Sequence, residues 1–262
     1  MSWKLRQREH ETFDRNPLVV VVSQLRFHPI VRIKQGELIG HFQDEIRSQF
    51  PTFSESLSNI ITARAGQSAN DVVFDTDQEK QFVFTTESGN TRIVLGATSL
   101  SIENKAHERR SQLVDDFALA IHALRKAYGS ISPIRIGLRY VNQISKETLS
   151  RDLGRTVSWN EAIHPQFLRL PDCVELEDTA FYSEITSPIT SGGGMTVRYG
   201  LIREPDQQVK YRFDTDRYRL GPFDVETASA IINSLSDDLF SVFMEAAGPA
   251  LMEWMATRKA DS

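Results

Sequence analysis

A single cysteine, Cys173, stands in the whole chain, which excludes an internal disulfide framework and a cysteine-rich zinc site. Long hydrophobic runs are missing as well. The longest near the N-terminus, residues 18–22, is far too short to span a bilayer. Residues 1–15 are polar and charged, without an apolar signal core. The expectation is a cytosolic protein with no membrane association. Neither sign of charge dominates: 30 Lys and Arg stand against 35 Asp and Glu, for a net charge of -5. That balance disfavours a bulk electrostatic grip on nucleic acid and leaves room for a local basic face at most. Nucleophile-elbow, dinucleotide-binding and zinc-hydrolase spacings are absent.

What is present is ordinary globular material. The 262 residues are 40% hydrophobic and 25% charged, enough for one large domain or two small ones. The stretch 133–144 alternates as a strand, with Ile134, Ile136, Leu138 and Tyr140 on one side and Arg135, Gly137 and Arg139 on the other. Gln24-Leu25-Arg26-Phe27 echoes Gly137-Leu138-Arg139-Tyr140, so each reads as the first strand of a repeated unit. The Val run in 18–27 predicts a central strand buried on both faces. A helix is expected over 35–50, from the stripe Leu38, Ile39, Phe42, Ile46 and Phe50. Strands follow at 57–65, 72–74, 81–86 and 92–102, with turns at 75–78 and 88–90. A helix over 108–128 ends at Gly129.

The second half repeats that order. Its strand leads into a polar, irregular insertion at about 145–170, with one short helix near 159–163. Strands are expected at 174–177, 181–186, 195–202 and 209–214. A helix then starts at Asp224 and breaks at Gly248-Pro249. The fold class is therefore α+β. Tandem duplicated β-α-β(3–4)-α units, 16–130 and 131–262, follow a flexible arm at 1–15. They form antiparallel sheets with helices packed on one face. A continuous sheet like that of TATA-box-binding protein and a helix-grip sheet enclosing a ligand cavity are the two arrangements in view.

Three sequence blocks carry a resemblance. Asn16-Pro17-Leu18-Val19 leads to Gln24-Leu25-Arg26-Phe27; Arg135-Ile136-Gly137-Leu138-Arg139-Tyr140-Val141-Asn142 follows; Phe213-Asp214-Thr215-Asp216 comes last. Together they resemble a sporadically distributed bacterial family of about this length, whose members have no assigned activity. The resemblance implies an accessory protein of variable gene neighbourhoods, and it transfers no catalytic residues.

The candidate chemistry starts from the arginine face. Arg135 and Arg139 share a strand side, Lys210 and Arg212 alternate on a late strand, and Arg198 adds another cation. Converging, they would receive a phosphate, a carboxylate or an acidic partner. The plainer reading is a solvated face with cross-strand pairs to Glu175, Glu184 and Asp214. Phe-Asp-Thr-Asp occurs at 74–77 and again at 213–216, and Asp214 with Asp216 would suit a divalent metal and phosphoryl chemistry. Against that, Asp at a strand end is a common turn former. His41 and His122 flank helix stripes and read as packing residues. Aromatic strand residues read as core before they read as base-stacking platforms. Trp159 and Phe167, with Leu168, look exposed in the insertion and would form a binding loop.

The resulting expectation is a non-enzymatic protein-interaction module, such as the partner of a bacterial toxin–antitoxin or defence pair. No cofactor is implied. The partner is a protein encoded nearby, with homodimerisation left open. The alternatives are a metal-dependent phosphoesterase or nuclease using Asp214 and Asp216 with the arginines, and a small-ligand or nucleotide sensor.

Overall fold

A computed structural model describes residues 5–6, 8, 11, 13–65, 72–106, 109–170, 176, 179–190, 192–205 and 207–257, with side chains throughout except at 58–65 and 72–78. It is α+β, with one nine-stranded sheet and helices packed on it. The first strand, β1 (Leu18–Phe27), is followed by two short helices, α1 (Val31–Lys34) and α2 (Ile39–Ile46). Four strands come next: β2 (Thr52–Ala65), β3 (Val72–Thr85), β4 (Thr91–Gly96) and β5 (Ser99–Asn104). The helix α3 (Arg110–Tyr128) closes this half. The other half runs β6 (Pro133–Ser145), α4 (Lys146–Leu153), α5 (Trp159–Ala162), β7 (Ser183–Pro188), β8 (Gly194–Arg203), β9 (Val209–Leu220), α6 (Ala228–Ala246) and α7 (Pro249–Ala256).

The strands lie in the order β2-β3-β4-β5-β1-β6-β9-β8-β7. Gln143 donates to the Pro17 carbonyl at one end of the β1–β6 pair and His28 to that of Ser132 at the other, which makes the pair antiparallel. Two compact units form. One holds Met1–Val22, Gly137–Leu220 and Ala230–Ser262, the other Ser23–Ile136 and Gly221–Ser229. They interleave along the chain, whereas the sequence reading cut it once, at 130/131.

In the second of these units the core is aromatic and aliphatic: Phe42, Ile46, Phe82, Phe84, Ile93, Leu95, Leu113 and Phe117 are fully or almost fully buried. Phe42 meets Phe84 with ring centroids 5.3 Å apart. In the first, α6 covers β6 and β9 through Phe243 against Phe213 (6.1 Å) and the Tyr140 and Ser236 hydroxyls at 2.8 Å.

Several expectations are corrected. The helix expected at 35–50 begins earlier and is interrupted, because Leu38 adopts a left-handed φ of 60° between α1 and α2. The turn expected at 75–78 is extended backbone inside β3, paired with β2. Conversely, 92–102 is two strands joined at Ala97 and Thr98. β1 is central, but only Val21, Ser23, Leu25 and Phe27 are buried, and its other face is half-covered. Within residues 1–15, contacts are described at Arg8 and Arg15. The Arg8 amide donates to Ser241 Oγ, and Arg15 pairs with Asp152 at 2.5 Å and lies over the Trp254 ring. His41 and His122 are exposed rather than packed. The expected strand at 174–177 falls mostly outside the described residues.

Candidate interaction face on β6, β9, β8 and β7

Side-chain alternation sorts the strands of the first unit into two faces. On the helix side β6 places Leu138, Tyr140, Asn142 and Ile144, and β9 places Tyr211, Phe213, Thr215 and Arg217, all buried. On the other side lie Arg139, Val141 and Gln143 from β6, and Lys210, Arg212, Asp214 and Asp216 from β9. The register of β8 on β9 puts Arg198 opposite Asp214, Thr196 opposite Asp216 and Ile202 opposite Lys210. That of β7 on β8 puts Glu184 opposite Arg198. A row of alternating charge results, Glu184–Arg198–Asp214–Arg139, running across four strands.

The row is closely bonded at both ends and looser in the middle. Arg139 holds Asp214 with two parallel hydrogen bonds, Nε to Oδ1 at 2.7 Å and Nη2 to Oδ2 at 2.6 Å. Arg198 donates to Glu184 at 2.7 Å and stands 3.9 Å from Asp214 Oδ2. The Asp214 side chain is 3% exposed, while the Arg139 side chain is 47% exposed. The bond to Asp214 raises the Arg139 pKa above its ordinary value. Beside the row, burial and then the Asp214 charge push the Tyr182 phenol up. A second cluster joins Gln143 to Glu204 at 2.5 Å and Arg212 to Glu204 at 3.5 Å. The Arg212 Nε is buried and finds no acceptor among the described residues.

The structure thus brings Arg139, Arg198, Asp214 and Glu184 together and places Arg212, Lys210 and Asp216 on the same face. Arg135 belongs to the other unit and donates to Gln24 Oε1 at 3.3 Å. Glu175 and the side chains of Asp75 and Asp77 lie outside the description. Among the described residues no group of three His, Cys, Asp or Glu side chains is gathered as a metal site, and both Asp214 oxygens are engaged by Arg139.

The expected binding loop is a correction. Trp159 is 2% exposed and Phe167 8%, with Leu168 also buried. Ser158 and Glu161 form a capping box on α5, which turns Trp159 onto Tyr211 with ring centroids 6.4 Å apart. Phe167 stands edge-on to Tyr199 and Phe213, and its carbonyl accepts from the Tyr211 hydroxyl. A helix of four residues is too short to display the periodicity that would have marked its buried side. These aromatics are core.

Sequence reasoning missed Arg217 and Asp238. Arg217 is buried beneath α6, donating Nε to Asp238 Oδ2 at 2.8 Å and Nη1 to the carbonyls of Gly192 at 2.8 Å and Tyr218 at 2.6 Å. The bond to Gly192 ties down the hairpin between β7 and β8, where a Cβ at Gly193, φ +73°, would collide with the Tyr218 backbone. A continuing alternation from Tyr211 and Phe213 through Thr215 to Arg217 was the available signal.

Comparison of the chain with protein-family models and with curated proteins finds no match.

Proposed function

We propose that this chain is a non-enzymatic protein-interaction module that docks another protein across the face formed by β6, β9, β8 and β7. The observation that carries the reading is Arg139, half-exposed yet fixed by a two-point bond to a buried carboxylate. An arginine already held in place loses little freedom when a partner arrives, and ordered arginines of this kind concentrate binding energy at interfaces. The partner chemistry follows from the charges. Arg139, Arg198, Lys210 and Arg212 are matched by Glu184, Glu204, Asp214 and Asp216, so the face favours a protein surface of mixed charge with a carboxylate or carbonyl at the outer edge of Arg139. A polyphosphate backbone would meet arginines that are already neutralised. The toxin–antitoxin or defence setting, and a partner encoded nearby, are supported by the sequence resemblance alone. The phosphoesterase reading requires Asp214 to leave Arg139 before it can ligate a metal, and is the weaker for it.

The test is capture of the tagged protein from its own host, beside an Arg139→Ala/Arg198→Ala variant shown to be folded. The eluates are assayed for protein stoichiometry and for nucleic acid. A stoichiometric protein bound by the wild type and lost from the variant is the expected result. A partner retained equally by both, or nucleic acid in place of protein, overturns the reading.

A further inference from the structure

The pairing of β2 with β3 runs much further than the sheet beside it. The two strands are matched from Thr52 with Thr85 all the way to Ala65 with Val72. β4, the next strand, pairs only with Phe82–Thr85 of β3. Glu79 marks the place where the ribbon leaves the sheet, since its carboxylate accepts from the Ala97 amide at the turn between β4 and β5. Beyond it, the pairs from Asn59 with Gln78 to Ala65 with Val72 form a two-stranded ribbon, roughly 20 Å long at a rise of ~3.4 Å per residue.

A two-stranded ribbon in water is marginal by itself and is stabilised by a third strand or by packing. β2 is the last strand in the sheet order, so no strand among the described residues pairs with its outer row of amides and carbonyls. Its sequence, TFSESLSNIITARA, contains no proline and no lysine, the residues that usually guard such an edge. The described side chains on β2 are exposed, and two of them are large and apolar: Phe53 at 41% and Leu57 at 68%. Both stand on the side that carries Phe82 and Phe84, where Phe53 already lies against both rings.

We propose that the β2 edge is a homodimer interface, in which β2 of a second copy adds antiparallel to β2 of the first. A twofold axis normal to the sheet relates the two strands, so opposed residues must share parity. Centring the axis on Asn59 pairs nearly the whole strand. It sets Leu57 opposite Ile61 and Phe53 opposite Ala65, each twice. Glu55 then faces Ala63 and Arg64 faces Ser54, so no charge opposes its like. The exposed apolar positions of one face thereby acquire apolar counterparts from the same sequence, and each ribbon gains its third strand. β2 contributes no residue to the arginine-bearing face.

Sedimentation equilibrium of the full chain across a concentration series is the first test. The expected result is a reversible dimer of twice 29.7 kDa. Leu57→Lys, exposed and hence compatible with the fold, should weaken the dimer at least tenfold, with a melting temperature equal to that of the wild type when both are measured dilute enough to be monomeric. In a Cys173→Ser background, Asn59→Cys should give a disulfide-linked dimer under mild oxidation, because residues on the axis approach to about 4.5–5.5 Å between Cα atoms, and Ser54→Cys should not. A wild type that stays monomeric at about 100 µM overturns the proposal. So does a dimer indifferent to Leu57→Lys, or one in which both cysteines cross-link equally. None of these measurements involves a partner protein, so they stand or fall independently of the docking face.

Discussion

Strand β9 carries an arginine–aspartate pair on each of its two faces, and the two are built in opposite ways. On the helix side, Arg217 and Asp238 are both buried, with side chains 3% and 7% exposed. On the open side, Asp214 is buried at 3% while its partner Arg139 is 47% exposed. In the first pair Nη1 of the arginine is spent on backbone carbonyls, so the guanidinium is directed into the protein. In the second, the fork engages the carboxylate and the outer edge is left facing away from the sheet. The difference separates a pair that fixes local structure from one that presents a rigid cation.

The comparison breaks most sharply at Asp238. Asp238→Ala leaves Arg217 buried without its carboxylate, and removing one member of a buried pair typically costs about 3–5 kcal/mol. A double variant, Arg217→Met with Asp238→Leu, removes both charges and should recover most of that loss. Urea unfolding of the three proteins checks this. A single variant as stable as wild type would mean that the Arg217 bonds to Gly192 and Tyr218 suffice without the carboxylate.

Next in size is Arg139→Ala. It strands a buried Asp214 with Arg198 as its nearest described cation. Bonds between charged groups are worth about 1.5–3 kcal/mol, and the exposure of Arg139 calls for the lower end or less, about 1–2 kcal/mol. Asp214→Asn should cost less than Arg139→Ala, because the amide carbonyl still accepts one bond and leaves no buried charge. The reverse ranking would show that Asp214 is not the member that depends on its partner.

These two pairs also show what was legible in the sequence. Strand alternation fixes the side on which Arg139 lies, and cross-strand pairing of Glu184 and Asp214 with the arginines follows from a solvated charged face. The register that brings Arg139 to Asp214 joins residues far apart in the chain, and local pattern carries no information about it. Arg217 escaped for a local reason. The sequence pattern ends the strand at Asp214, whereas β9 continues to Leu220. Trp159 escaped because α5 is too short for periodicity to assign a side. The guard-free composition of β2 was readable, but the extended reach of β3 was hidden by Asp75-Thr76-Asp77-Gln78, which carries turn chemistry and yet lies in strand.

A third aspartate sharpens the comparison, because no arginine is bonded to it among the described residues. Asp116 on α3 is 4% exposed, and its only described bond is from Gln112 Nε2 at 2.7 Å. Burial raises its pKa, with the Gln112 bond opposing and the Asp115 charge assisting. Below the ordinary carboxyl range both folded and unfolded states hold the proton, and the burial is harmless. As the pH rises through the raised native value, the native state must ionise a buried group and stability falls. Asp116→Asn should therefore raise the urea midpoint at pH 7, by less than Arg139→Ala lowers it, and the gain should vanish near pH 3. A gain that persists at pH 3 would assign it to packing rather than to charge.

The smallest effect is expected at the outer end of the open row. Glu184 lies on the edge strand with a side chain 50% exposed, and exposed ion pairs are worth about 0–1 kcal/mol. Glu184→Ala should cost no more than about 0.5 kcal/mol, since water and Asp214, 3.9 Å away, remain available to Arg198. A double-mutant cycle of Glu184→Ala with Arg139→Ala then asks whether the row acts as one object. Independent pairs give additive losses within about 0.3–0.5 kcal/mol. A larger coupling would mean that Glu184 governs, through Arg198, how firmly Asp214 holds Arg139, so that the rigidity of the exposed guanidinium is set at the far edge of the sheet.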